Sequence, residues 1–312
     1  MREKANRFEG CLLGLACGDA VGAAVEFLPR GRFAPVTDML GGGKFRLHKG
    51  EWTDDTAMAL CLAESLIECG GFDPRDQMQR YWRWADEGYN SCREHAFGIG
   101  KTVATAMAQF RKTGNPYSGS TAPSTSGNGS LMRLAPIPMY YFDSPKEAVD
   151  FAALSSKTTH ASADCIASCQ YLTLVLLQAL AGEQDKAKLF PDRLDIEMPH
   201  TMQRIMEQEF RNASAADVVG SGYVVESLEA ALWSFWHTET FEAAILAATN
   251  LGDDADTTAA ICGQLAGAYY GSNQIPEDWV NSLYRGHDIR RLALTLTGQS
   301  TDANFRSEGK AV

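Results

Sequence analysis

The chain has 312 residues, 45% apolar and 21% charged, enough to bury the core of one large domain or two ordinary ones. Its 28 Lys and Arg face 39 Asp and Glu, a formal charge of −11, the wrong sign for a surface that neutralises phosphates, so no nucleic-acid partner is expected. No run approaches 18 uninterrupted apolar residues, and the start Met-Arg-Glu-Lys-Ala-Asn-Arg lacks a signal peptide's apolar stretch and cleavage site. The expectation is therefore a cytoplasmic protein with no membrane partner.

Apolar periodicity predicts helices at about 7–23, 56–69, 76–87, 98–112, 146–155, 162–182, 198–210, 224–236, 241–249, 257–270 and 277–285. In the second, Met58, Leu62, Ser65, Leu66 and Cys69 share one stripe, and Gly70-Gly71 ends the helix. Alternating runs of Val, Ile, Thr and Tyr with hairpin turns are hard to find, so the predicted fold class is all-α. Glycine-rich or polar segments at 29–51, 113–129, 183–196 and 211–222 separate the helices, but no Pro- or Ser-rich linker halves the chain. One compact multi-helix domain over 1–300 is expected, with 301–312 a frayed tail. The cysteines at 11, 17, 61, 69, 92, 165, 169 and 262 form no C-x-x-C pair and have no His at zinc spacing, and they read as buried thiols in a reducing compartment.

Two segments about 200 residues apart resemble each other: Trp52-Thr53-Asp54-Asp55-Thr56-Ala57 and Gly252-Asp253-Asp254-Ala255-Asp256-Thr257-Thr258-Ala259. Both open an Ala-rich helix. The ordinary role of such residues is capping, since Thr and Asp accept bonds from free helix N–H groups and negative charge suits the macrodipole. Asp54-Asp55 and Asp253, Asp254 and Asp256 exceed what a cap uses, and surplus like charges repel unless something neutralises them. If the two starts face each other, their carboxylates and the Thr53 and Thr257 hydroxyls form an all-oxygen cage. Such a shell suits Mg²⁺ or Mn²⁺ before Zn²⁺, and four carboxylates neutralise two divalent ions. Isoprenoid synthases also carry Asp-rich helix segments, but with aspartates at i, i+1 and i+4. Here Met58 stands fourth after Asp54 and Thr257 fourth after Asp253.

Four more segments join these two: 14–27 (Gly-Leu-Ala-Cys-Gly-Asp-Ala-Val-Gly-Ala-Ala-Val-Glu-Phe), Phe97-Gly98-Ile99-Gly100, Gly127-Asn128-Gly129-Ser130-Leu131-Met132-Arg133 and Thr159-His160. In this order, over residues 8 to 280, the set resembles the ADP-ribosylglycohydrolase family. The resemblance implies a compact all-α fold with two Mg²⁺ or Mn²⁺ ions at the base of a cleft for ADP-ribose. Carried over by motif, Thr53, Asp54, Asp55, Asp254, Asp256 and Thr257 hold the metals, and Asp253 is a supporting or capping residue. Glu26 matches the family glutamate with a catalytic or gating role, and Asp55 and Asp254 join it as catalytic residues. Ser126, Gly127, Asn128 and Gly129 match the segment that wraps the diphosphate and proximal ribose, and His160 a histidine lining the cleft. Asp19 reads as structural, bonding loop amides.

The Ser/Gly loop has by itself the make-up of a phosphate cradle, since glycines let backbone N–H groups approach an anion. Arg133 adds positive charge beside it or serves an internal ion pair. The implied reaction is hydrolysis of the bond between the ribose anomeric carbon and an arginine or serine side chain of a modified protein. The implied partners are that ADP-ribosylated protein and a cognate ADP-ribosyltransferase. A binding or immunity-type protein with little turnover is the alternative. Gly98 stands where arginine-directed relatives carry Asp, which puts arginine specificity in doubt, with Asp86, Glu87 or Glu94 as substitutes. Tyr117 and Tyr269 are the candidates for stacking on adenine.

Overall fold

The computed structural model describes residues 2–191 and 196–298, and the expected tail at 301–312 lies outside them. Its organising contact is an antiparallel pair, α1 (Arg2–Gly22) against α11 (Ala255–Tyr270). Gly10, Gly14, Gly18 and Gly22 recur every four residues, so they share one face of α1. A Cβ built on them would stand 2.2 Å from Gly267 O, 2.2 Å from Gly263 O, 2.1 Å from Ala259 O and 2.4 Å from Ala255 O. The facing residues of α11 also recur every four. The two backbones touch along their length, and the C-terminal end of α1 is brought to the N-terminal end of α11.

Around this pair, α2 (Asp54–Cys69) packs on α3 (Pro74–Glu87), followed by α4 (Lys101–Thr113), α5 (Pro136–Tyr140) and α6 (Pro145–Lys157). Then come α7 (Ala163–Ala181), the single-turn α8 (Gln203–Met206), α9 (Val224–Trp236), α10 (Phe241–Thr249), α12 (Glu277–Ser282) and α13 (Gly286–Leu296). Among the described residues there is no strand, only isolated bridges such as Gly127 with Tyr223 and Ser120 with His160. The all-α expectation holds. Helix α7 is long and apolar enough to cross a membrane by length and composition, yet most of it is buried against α6, α9 and α11, as a core helix is.

Local signals placed most boundaries. Gly70 ends α2 at φ 68, Asp73 caps α3 through the amides of Arg75 and Asp76, and Ser162 caps α7 through Cys165. Three expectations need correction. The helix at 98–112 starts only at Lys101, because Gly98 has φ 80. The stretch at 198–210 is a 3₁₀ turn, α8 and another 3₁₀ turn, reversed at Gln208 with φ 57 so that Met202, Ile205 and Phe210 all reach the core. That at 277–285 breaks after Ser282 and restarts as α13 beyond Arg285, at φ 53. Of the eight thiols, Cys69 is exposed, because α2 leaves the core in its last turn; the other seven are buried.

Candidate active site

The α1/α11 pairing sets the site. Beyond Gly22 the chain turns through Glu26, while α11 opens with Asp254, Asp256 and Thr257 at the same end. The N-terminus of α2 brings Thr53, Asp54 and Asp55 to this point, and all seven of these side chains except Asp254, which is partly exposed, are buried. Neither N-cap side chain, Thr53 or Asp254, accepts a capping bond from its own helix. Asp19 of α1 caps α2 instead. Its carboxylate accepts from the amides of Thr53 (2.9 Å) and Thr56 (3.0 Å) and from their hydroxyls at 2.9 and 2.6 Å. Thus Asp19, with its oxygens already occupied, orients Thr53, whose Oγ1 lies 3.1 Å from Asp55 Oδ2 and 3.4 Å from Asp256 Oδ2.

Two carboxylate triads result, Asp19/Asp55/Asp256 and Glu26/Asp254/Asp256, each with oxygens within 4.8 Å of one another and both sharing Asp256. Such crowding in a buried place disfavours charge. Burial first, then Asp254 and Asp19, push Glu26 up to about 7, against the pull of Lys44 and a hydrogen bond from Asp256. Asp19 is pushed up to about 6 by burial, against its four hydrogen bonds. Asp54, Asp55 and Asp256 stand well above the usual carboxylate range, through burial and then their acidic neighbours. Asp254 is raised by burial and held back by Asn128, whose Nδ2 donates to Asp254 Oδ2 at 2.7 Å.

Glu26 Oε2 and Asp55 Oδ1 are buried with no hydrogen-bond partner. Unsatisfied buried carboxylate oxygens inside an all-oxygen cluster are what a hard divalent cation would complete, so the residues fit the metal that the sequence implies.

The Glu26 turn is tied down from both sides. Phe27 N donates to Asp253 O at 2.6 Å and Asp253 N to Leu28 O at 2.9 Å, with both Phe27 and Asp253 in the left-handed region. Asp253 therefore joins loops through its backbone and caps nothing. Arg30 donates to the carbonyls of Leu251, Val218 and Ala215, pinning the same turn to the approach to α11.

The Ser/Gly loop lies alongside, with three of its amides committed to carbonyls of the protein. The amides of Ser126, Gly127 and Asn128 donate to Pro123 O (3.2 Å), Thr125 O (2.8 Å) and Gly222 O (3.1 Å). What the loop offers is the Asn128 side chain, reaching Asp254 and Ser227, with Gly129 buried beneath. His160 is 2% exposed and packs under the loop, its Cε1 2.9 Å from where a Cβ of Gly129 would be. Burial and then Arg133 push it down to about 3, so it is a neutral prop. Arg133, fully buried, makes no ion pair; it donates to Gly129 O at 2.9 Å and Thr159 Oγ1 at 2.7 Å. Tyr269 sits near the far end of α11, about 20 Å from Asp256 at 1.5 Å per residue, too distant to stack on a ligand at the cluster. Tyr117 is exposed on the approach to Gly119, which abuts His160.

A family model described as ADP-ribosylglycohydrolase matches residues 1–304. The chain belongs to the ADP-ribosylglycohydrolase family. Among ADP-ribosylglycohydrolases it is 40% identical over 97% of its length to an ADP-ribosylarginine hydrolase Tri1 from Serratia proteamaculans, spanning 82% of that protein. It is 31% identical to the ADP-ribosyl-[dinitrogen reductase] glycohydrolase of Rhodospirillum rubrum, over 89% of this chain and 90% of that one. A solved structure titled ADP-ribosylglycohydrolase-related protein complex superposes with a TM-score of 0.85 at 41% identity, over 96% of this chain and all of that one. In this ADP-ribosylglycohydrolase, sequence reasoning missed how far Asp19 and Arg30 reach. The four-residue glycine recurrence in α1 signalled the first; nothing in the sequence signals three backbone carbonyls converging on Arg30.

Proposed function

We propose that this protein releases ADP-ribose from a modified arginine side chain by attack of water on the ribose anomeric carbon. One observation carries the reading: two helix starts and the Glu26 turn converge on a buried carboxylate cluster with unsatisfied oxygens. The family, and relatives at 40% and 42% identity named ADP-ribosylarginine hydrolases, support the acceptor. Gly98 does not argue against arginine. A Cβ there would stand 2.2 Å from Asp54 Oδ1, so in this chain glycine at 98 goes with the place that Asp54 takes, and a side chain there would displace it.

In this proposal Asp54, Asp55, Asp254 and Asp256, with Thr53 and Thr257, would hold two Mg²⁺ or Mn²⁺ ions. When bound, such cations neutralise the clustered charge, hold ribose hydroxyls and acidify water. The chain's own carboxylates stabilise positive charge growing on the ribose ring. Glu26, which changes protonation state near neutral pH, accepts a proton from the attacking water. As the water oxygen bonds to the anomeric carbon, the bond from that carbon to the guanidine nitrogen breaks, Glu26 returns the proton to that nitrogen, and ADP-ribose leaves. Asn128 fixes Asp254, and the Ser126–Gly129 loop borders the sugar. The substrate is an ADP-ribosylated cytoplasmic protein, modified by a transferase that this enzyme opposes.

The test incubates the protein with matched peptides carrying ADP-ribosylarginine or ADP-ribosylserine, with Mg²⁺, Mn²⁺ or EDTA, and measures released ADP-ribose by mass spectrometry. Metal-dependent release from the arginine peptide is expected. Release from serine alone would move the acceptor, and tight binding without release would replace hydrolysis with capture.

A further inference from the structure

Residues 27–50, between α1 and α2, carry five cations, Arg30, Arg32, Lys44, Arg46 and Lys49, against one anion, Asp38, in a chain of formal charge −11. The same segment holds Phe27, Leu28 and Leu40, three of the six exposed large apolar side chains among the described residues. Of the other three, Val219 precedes Gly220, whose carbonyl takes the Asp254 amide, and Tyr284 donates its amide to Gly50 O, whereas Tyr117 follows the far end of α4, near Asp73.

Part of this segment forms a continuous lip along the acidic cluster. Lys44 Nζ lies 4.3 Å from the Phe27 ring and 5.3 Å from that of Phe45. Phe45 packs on Phe97 with centroids 5.0 Å apart, and the Arg93 guanidinium lies 5.1 Å from Phe97 while donating to Arg46 O and pairing with Glu51 at 3.1 Å, which leaves the positive charge of the lip to Lys44 and Arg46. Phe27 follows Glu26, and Phe97 precedes Gly98, which lies against Asp54. The lip thus runs from the Glu26 turn to Asp54. A contiguous exposed surface that is basic and aromatic, on a protein acidic elsewhere, selects by charge what can approach.

We infer that this lip is the docking surface for the modified protein, and that it fits a partner whose surface beside the ADP-ribosylated residue is acidic. The inference rests on the hydrolase reading above and adds the character of its macromolecular substrate. The anionic part of ADP-ribose itself is the other source of negative charge, and the experiment separates the two.

The Arg32→Glu/Arg46→Glu double variant is compared with wild type on three substrates: free ADP-ribosylarginine, an ADP-ribosylarginine peptide flanked by glutamates, and the same peptide flanked by lysines. Both side chains are exposed, Arg46 beside the Arg93 contact of the lip and Arg32 in the same basic segment, and neither belongs to the two carboxylate triads. In wild type, KM for the glutamate-flanked peptide is expected about tenfold below that for the lysine-flanked one, with the difference shrinking as salt screens it. The double variant should reverse this order and leave free ADP-ribosylarginine unchanged. Equal KM values for the two peptides in wild type would overturn the proposal. So would a double variant that loses free ADP-ribosylarginine, since the lip would then serve the diphosphate. Wild type that releases nothing from free ADP-ribosylarginine would overturn the hydrolase reading itself.

Discussion

Gly98 leaves room for the carboxylate of Asp54: a Cβ at position 98 would meet Asp54 Oδ1 at 2.2 Å. Its φ of 80 is also one that side-chain-bearing residues rarely adopt. Gly98→Ala should displace Asp54 and lower kcat/KM at least about tenfold, about 1.4 kcal/mol of transition-state stabilisation. Steady-state kinetics beside a thermal melt checks it; a variant with unchanged kinetics would show that Asp54 does not need its place.

The clustered carboxylates give the metal-free protein a pH dependence of known sign. Unfolded, they are ionised above about pH 4. Folded, Glu26 holds its proton to about 7, and Asp54, Asp55 and Asp256 are raised well above their usual range. Groups raised on folding stabilise below their unfolded pKa and lose that contribution as pH climbs through the folded value. His160 acts oppositely, its pKa lowered from 6.5 to about 3, and because the unfolded ring is half protonated at 6.5 its contribution levels off only about one unit higher. Between about pH 7 and 8 the acids dominate. Stability without metal should fall there, by about 1.4 kcal/mol per pH unit for each proton that only the fold retains. Urea titrations in EDTA at several pH values measure the slope, which Mg²⁺ or Mn²⁺ should flatten.

Removing one of these charges separates fold from function. Asp256→Asn and Asp54→Asn should each abolish turnover while raising Tm in EDTA, because like-charge repulsion is relieved. A variant near the wild-type rate would disprove its assignment as a metal ligand.

Asn128 donates to Asp254 at 2.7 Å, which makes its amide hard to replace. Asn128→Ala forfeits one hydrogen bond to a charged group, about 1.5–3 kcal/mol. Asn128→Asp sets a second carboxylate against Asp254 and should cost more in activity. A rate for the Asp variant equal to that of the Ala variant would mean that the bond is not what holds Asp254.

The α1/α11 contact should be the least tolerant place in the core. Gly18→Ala forces a Cβ to 2.1 Å from Ala259 O and should destabilise by about 1–3 kcal/mol or more, read as a lowered denaturation midpoint. Activity should fall with it, since the same contact aligns Asp19 and Glu26 with Asp256.

What could be read in the sequence was local. Helix periodicity, the Gly70 terminator and the Asp73 and Ser162 caps involve residues within a few positions of one another, so the residues alone specify them. The two carboxylate-rich helix starts were equally visible, because acidic residues beyond a cap's needs are a property of the string. Where the string misled, the deciding partner was distant or conformational: Gly222 takes the Asn128 amide, and Gln208 in the left-handed region breaks an expected helix.

The sequence by itself determined an all-α chain with the motif set of an ADP-ribosylglycohydrolase, because repeat spacing and residue order need no third dimension. Only the tertiary structure decided that Asp55 meets Asp256 and Glu26 meets Asp254 and Asp256, that Asp19 caps a helix not its own, and that His160 lies beneath the Ser126–Gly129 loop. These are contacts between segments up to about two hundred residues apart, and the glycine face of α1 against the small residues Ala255, Ala259, Gly263 and Gly267 of α11, which lets two backbones touch, carries them.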